Sequence, residues 1–114
     1  MDEKEFKEFE RSYLETKKRF KAISKGDLVW EEIPRWIGRD YHPAVVKSVN
    51  VDKTYIKVID VSSSNEEKKY ENFITRSEMI ICGFSKEDII DDYKKYSKAI
   101  KSITGKKPNL SNIF

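Results

Sequence analysis

His42, Arg39, Ser62 and Ser63 are the residues of this 114-residue chain whose types suit chemistry at a phosphodiester. An arginine fork can donate two parallel hydrogen bonds to a phosphate and stays charged while a phosphorane forms. Imidazole titrates near pH ~6.5 and serves as general acid or base. A serine hydroxyl can bond a non-bridging oxygen. His42 is the only histidine, so a paired-histidine ribonuclease site within one chain is excluded. A second set has the types that hold a nucleic acid. Arg35 and Trp36 combine a guanidinium with an indole, the combination that grips phosphate while a base stacks; the alternative is that Trp36 lies over the core as a lid. Lys47, Tyr55 and Lys57 fall on one predicted strand pair, and Arg76 lies in the connection Thr75-Arg76-Ser77 between the last two expected strands. Lys94, Lys98 and Lys101 lie in a C-terminal arm that carries six lysines and no carboxylate side chain from Lys94 onward. Electrostatic attraction for nucleic acid is therefore expected to concentrate in this arm.

The rest of the composition narrows the classes. Residues 1–22 hold seven basic and six acidic groups and residues 25–84 nine and ten, so the net charge of +3 comes from the C-terminal arm. Fourteen aromatic residues (2 Trp, 6 Tyr, 6 Phe) are too many for a disordered chain, and this length predicts one domain with one core. The single cysteine, Cys82, lies in the apolar run Met79-Ile80-Ile81-Cys82 and reads as a small buried hydrophobe in a reducing compartment. No apolar run approaches the roughly 20 residues that cross a bilayer, and the first ten residues alternate charge rather than forming a signal peptide. A cytoplasmic protein with no membrane contact is expected. Glycine-rich phosphate loops, Cys/His metal spacings and a Gly-x-Ser-x-Gly elbow are missing from the sequence, so no metal and no cofactor is expected.

These residues must be positioned by a small set of elements. Phe6, Phe9, Tyr13, Phe20 and Ile23 recur at three- and four-residue steps and predict an N-terminal helix over 1–24. The turn Ser24-Lys25-Gly26-Asp27 ends it. Residues 28–33 predict a first strand stopped by Pro34, and 34–42 a long loop. Strands follow over 43–49 and 55–61, joined by a tight connection at Asn50-Val51-Asp52-Lys53. After a polar connection over 62–69, two short strands are expected at 70–74 and 78–82. Five strands of this length suit a small closed antiparallel sheet over 25–84. Ser85 caps a last helix over 85–104, with Asp88 approximating a capping box and Gly105 and Pro108 as its stop. Residues 105–114 form a tail.

The run Lys25-Gly26-Asp27-Leu28-Val29-Trp30, followed by a loop and His42-Pro43-Ala44-Val45-Val46, resembles the opening of PemK/MazF-type toxins. Tyr55 to Ser64 is similar to that family's third strand, and Ile74-Thr75-Arg76-Ser77 through Ser85-Lys86-Glu87-Asp88 to its closing strand and last helix. The resemblance covers about residues 25–103. It implies a mainly β, α+β fold: a five-stranded Src-homology-3-like barrel flanked by an N-terminal and a C-terminal helix. It also implies metal-independent cleavage of single-stranded RNA through attack of the ribose 2′-hydroxyl, and often a homodimer or an antitoxin partner. His42 occupies the place beside proline that usually holds the family's arginine; Arg39 is the nearest arginine, and Ser62 or Ser63 approximates the family's hydroxyl.

Three functions stay open at this point. One is an RNA-binding toxin-like barrel that cleaves single-stranded RNA. Another is a non-cleaving derivative, of phage or other mobile-element origin, that binds or inhibits a host RNA-protein complex. The last is a PWWP- or KOW-like reader of duplex DNA or peptide with Trp30, Trp36 and Tyr41 as an aromatic wall.

Overall fold

The computed structural model describes residues 2–9, 11, 23–60 and 65–112. Residues 3–9 are helical, as the N-terminal stripe predicts; Tyr13 and Phe20 of that stripe lie outside the described residues. Ile23 joins the core.

Five strands form one antiparallel sheet in the order β4-β3-β2-β1-β5. They are β1 (Leu28–Pro34), β2 (Arg39–Val49), β3 (Tyr55–Ile59), β4 (Asn65–Lys69) and β5 (Phe73–Ile74). Among the described residues no pairing joins β4 to β5, so the sheet is open where a closed one was expected. Three helices follow: α1 (Arg76–Ile81), α2 (Lys86–Lys95) and α3 (Ser97–Thr104).

Several expectations need correction. The stretch 34–42 is not a long loop, because β2 already begins at Arg39 and pairs with Pro34. Gly38 makes the tight turn affordable with φ of 75°, a left-handed conformation that side chains disfavour, and Arg35 N–H donates to its carbonyl at 3.2 Å. The polar stretch Asn65–Lys69 is the edge strand β4, paired residue for residue with β3. Its run of charges suits an edge that must not recruit another strand. Residues 70–74 divide into a 3-10 turn, Tyr70–Asn72, and the two-residue β5. Residues 78–81 are helix with Cys82 as its C-cap, not strand: Thr75 accepts from Glu78 N–H and Glu78 bonds back to the Thr75 N–H, a complete capping box. That helix gives only Met79 to the core, so Ile81 and Cys82 are exposed and the expected buried cysteine is at the surface.

The last helix starts where Ser85 predicts, with Ser85 Oγ accepting from Asp88 N–H at 3.1 Å, and ends at Gly105 with φ of 82°. It breaks at Tyr96 into α2 and α3. The Tyr96 hydroxyl donates to the Pro43 carbonyl at 2.9 Å, and Ser97 Oγ donates back to Tyr93 O at 2.9 Å. Anchoring to β2 thus coincides with a local hydroxyl-to-carbonyl bond of the kind that bends helices.

Both faces of the sheet are covered, with alternate residues going to opposite sides. Leu28, Trp30, Val45 and Ile74 face Met79, Ile89, Tyr96 and Ile100 of the helices. Val29, Ala44, Val46, Ile56, Val58 and Phe73 face the other way, with Tyr70 and Ile23 closing that cluster. Gly26 sits where α3 ends: a Cβ there would come within 2.3 Å of Thr104 Cγ2. No helix of the described residues is long and apolar enough to cross a membrane.

Candidate nucleic-acid interface

The same alternation that builds the core separates the candidate residues. On β2, Arg39 and Tyr41 share the helix side with Val45, whereas His42 shares the opposite side with Ala44 and Val46. Arg39 pairs with Glu32 on its own side. Arg39 and His42 are therefore not brought together. Ser62 and Ser63 lie outside the described residues.

His42 lines a cleft of about 350 Å³ whose floor is Ala44, Val58 and Phe73 and whose rim includes Glu31, Asp60, Glu66, Lys68 and Lys95. Glu31 lies directly across from His42 in the β1–β2 register. Lys68 Nζ donates to Glu31 Oε1 at 2.8 Å and lies 3.2 Å from Glu66 Oε2. The bond to Glu31 raises the Lys68 pKa above its ordinary value, so the ammonium stays charged through neutral pH. This cation is already committed to carboxylates, and the cleft is a mixed-charge pocket rather than a phosphate site.

The turn between β1 and β2 holds Arg35, Trp36 and Ile37. Trp36 is 100% exposed, so it is no lid on the core. Arg35 pairs with Asp40 at 2.5 Å, which with Arg39–Glu32 leaves both guanidinium groups of this hairpin facing carboxylates. Trp30 is 1% exposed, with its indole edge-on to Tyr93 and its Nε1 donating to Asp92, and Tyr41 packs against Phe84. Trp30, Trp36 and Tyr41 thus form no common wall. Arg76 donates to the Tyr93 hydroxyl at 3.5 Å.

Free positive charge collects elsewhere. A groove of about 730 Å³ runs between α3 and the β2–β3 pair, and Lys25, Lys47, Lys57 and Lys98 all line it. Ser48, Asn65 and Ser102 add neutral polar groups, Ile59, Ala99 and Ile103 the apolar part, and no carboxylate is among its walls. A register shift between Val46 and Ser48 bulges Lys47, whose Nζ lies 3.4 Å from Asn65 Oδ1. None of the four lysines forms an ion pair with a described residue. Glu67 stands across from Lys57 in the β3–β4 register without pairing to it. Four lysines on one groove whose walls hold no carboxylate form a cationic surface suited to anions.

Three of the sequence candidates meet in this groove: Lys47, Lys57 and Lys98. Tyr55 is half-exposed two residues before Lys57, and Lys94 and Lys101 are exposed on α2 and α3, outside the groove walls. Lys25, Ser48, Asn65 and Ser102 were missed. Lys25 belongs to a turn legible only as a stop signal, and nothing local marks it as a neighbour of Lys98. No family model, no curated protein and no solved structure matches the chain.

Proposed function

We propose that this protein is an RNA-binding module that holds the backbone of a single strand in the lysine groove, on a barrel of the Src-homology-3-like, PemK/MazF type. The observation that carries the reading is the convergence of Lys25, Lys47, Lys57 and Lys98 from four separate parts of the chain on a groove with no carboxylate in its walls. The strand order β4-β3-β2-β1-β5, with a 3-10 turn before a very short last strand and a long bulged second strand, supports the barrel assignment. Ser48, Ser102 and Asn65 supply donors and acceptors of the kind that engage a ribose 2′-hydroxyl, which favours RNA over DNA.

Binding is favoured over cleavage. Arg39 is engaged by Glu32 on the face of β2 away from His42, and the cation beside His42 is Lys68, held by two carboxylates. A cleaving site needs a cation at the developing phosphorane; with Lys68 committed to carboxylates, Lys95 is the one other lysine on a rim that carries three carboxylates. The module then acts by occupying RNA or an RNA-protein complex.

Fluorescence anisotropy with labelled oligouridine tests this. The wild type should bind, Lys47→Glu/Lys57→Glu should lose most of the affinity, and the RNA should keep its length in EDTA buffer from mildly acidic to mildly basic pH. Equal binding by the charge-reversed protein would refute the groove, and shortened RNA would restore the endoribonuclease.

A further inference from the structure

The groove and the His42 cleft meet along shared boundaries. Consecutive residues Ile59 and Asp60 line the groove and the cleft respectively, as do Asn65 and Glu66. At the helix break, Lys95 and Tyr96 border the cleft while Lys98 and Ala99 border the groove. The two sites are thus back to back around one edge of the sheet, and a strand leaving the groove over that edge arrives at the cleft mouth.

The chemistry of the two sites differs. The cleft has an apolar floor, and its three rim carboxylates outnumber Lys68 and Lys95. Such a rim disfavours phosphate and offers acceptors to a neutral ring. Its volume, about 350 Å³, is at the small end of the roughly 300–1,000 Å³ of ligand pockets. Glu31 and Glu66 each give one oxygen to Lys68, which leaves acceptor capacity on the other oxygens of a group that accepts only. A donor therefore stands beside acceptors across the mouth. Guanine presents the complementary edge, an acceptor O6 next to the donors N1–H and N2–H₂, whereas adenine, cytosine and uracil each offer donors from a single nitrogen on that edge.

Resting on the RNA-binding reading, we propose that the cleft beside His42 is a base-specificity pocket that receives one unstacked guanine of a strand held in the lysine groove. Glu31 and Glu66 accept from its donors, Lys68 donates to O6, and the Ala44, Val58 and Phe73 floor shields the ring.

The test is anisotropy on the full chain with oligouridine of about ten nucleotides and with the same strand carrying one central guanine, adenine or cytosine. The wild type should bind the guanine strand roughly tenfold more tightly than oligouridine, and the adenine and cytosine strands about as oligouridine. Glu31→Gln and, independently, Glu66→Gln should bring the guanine strand down to the oligouridine level without changing oligouridine itself. Lys57→Ala should weaken all four strands in the same proportion. Tight binding of every strand without a guanine preference, a preference for adenine or cytosine, or a guanine preference that survives both glutamine variants would overturn the pocket and leave the groove intact. Failure of all four strands to bind would instead overturn the groove, and the pocket with it.

Discussion

The Trp30 indole Nε1 donates to Asp92 Oδ2 at 2.8 Å, a bond that ties the middle of β1 to α2 across 62 residues of sequence. Trp30 is buried in the helix-side core while Asp92 is partly exposed, so Asp92 is the partner that satisfies the indole N–H at the margin of that core. The bond therefore fixes the layer of helices whose far end, α3, forms one wall of the lysine groove.

Asp92→Ala is expected to lower unfolding stability by about 1–3 kcal/mol, the cost of leaving a buried donor unsatisfied. Asp92→Asn keeps an acceptor oxygen and should recover most of the loss. Urea unfolding of the two variants measures the difference; equal loss in both would show that the carboxylate charge, not the hydrogen bond, matters.

The two tryptophans should behave as opposites in fluorescence. Trp36, 100% exposed, should emit like free indole and be quenched readily by acrylamide, whereas Trp30, 1% exposed, should emit to the blue and resist quenching. Trp36→Ala should remove the red, quenchable component and change stability by no more than about 0.5 kcal/mol. A large loss of stability would mean that Trp36 packs after all.

High pH should unfold the protein in a particular way. Burial raises the pKa of Tyr70 and of Tyr93, the latter in spite of Arg76 nearby. The unfolded chain ionises these phenols near pH ~10, before the folded chain does. Stability should therefore fall as pH rises from about 10 towards the folded-state pKa values. Melting temperature against pH should drop less steeply in Tyr93→Phe, and the wild type should show phenolate absorbance from these two side chains only as it unfolds.

Gly26 is fixed by the end of α3. Gly26→Ala places a Cβ within 2.3 Å of Thr104 Cγ2, at a φ of 90° that alanine disfavours. A loss of roughly 1–3 kcal/mol is expected, measured as a lower urea midpoint, and Thr104→Ser should relieve the contact but not the backbone strain.

What the sequence made legible was carried by local signals. Ser85, Gly105 and the Asn50-to-Lys53 turn each act on their own backbone: Asn50 Oδ1 accepts from Thr54 and Tyr55 N–H, closing the β2–β3 connection as expected. Residues 78–82 were misread because a short apolar run has no period of its own, although Thr75 and Glu78 held the capping signal. Asn65–Lys69 is a strand only through its ladder with β3, which no local propensity encodes. The site followed the same rule. Lys47 and Lys57 lie on adjacent strands and were legible together, whereas Lys25 and Lys98 reach them only through tertiary packing. Arg39 and His42, close in sequence and both of types suited to a phosphodiester, are put on opposite faces of β2 by strand alternation.

The groove's role is tested most directly by the salt dependence of oligouridine binding. If Lys25, Lys47, Lys57 and Lys98 each contact one phosphate of a single strand, the logarithm of affinity should fall by roughly 3 per decade of salt, and each lysine replaced by alanine should reduce that slope by roughly 0.7. A slope near zero, or one unchanged when all four are replaced, would contradict the account.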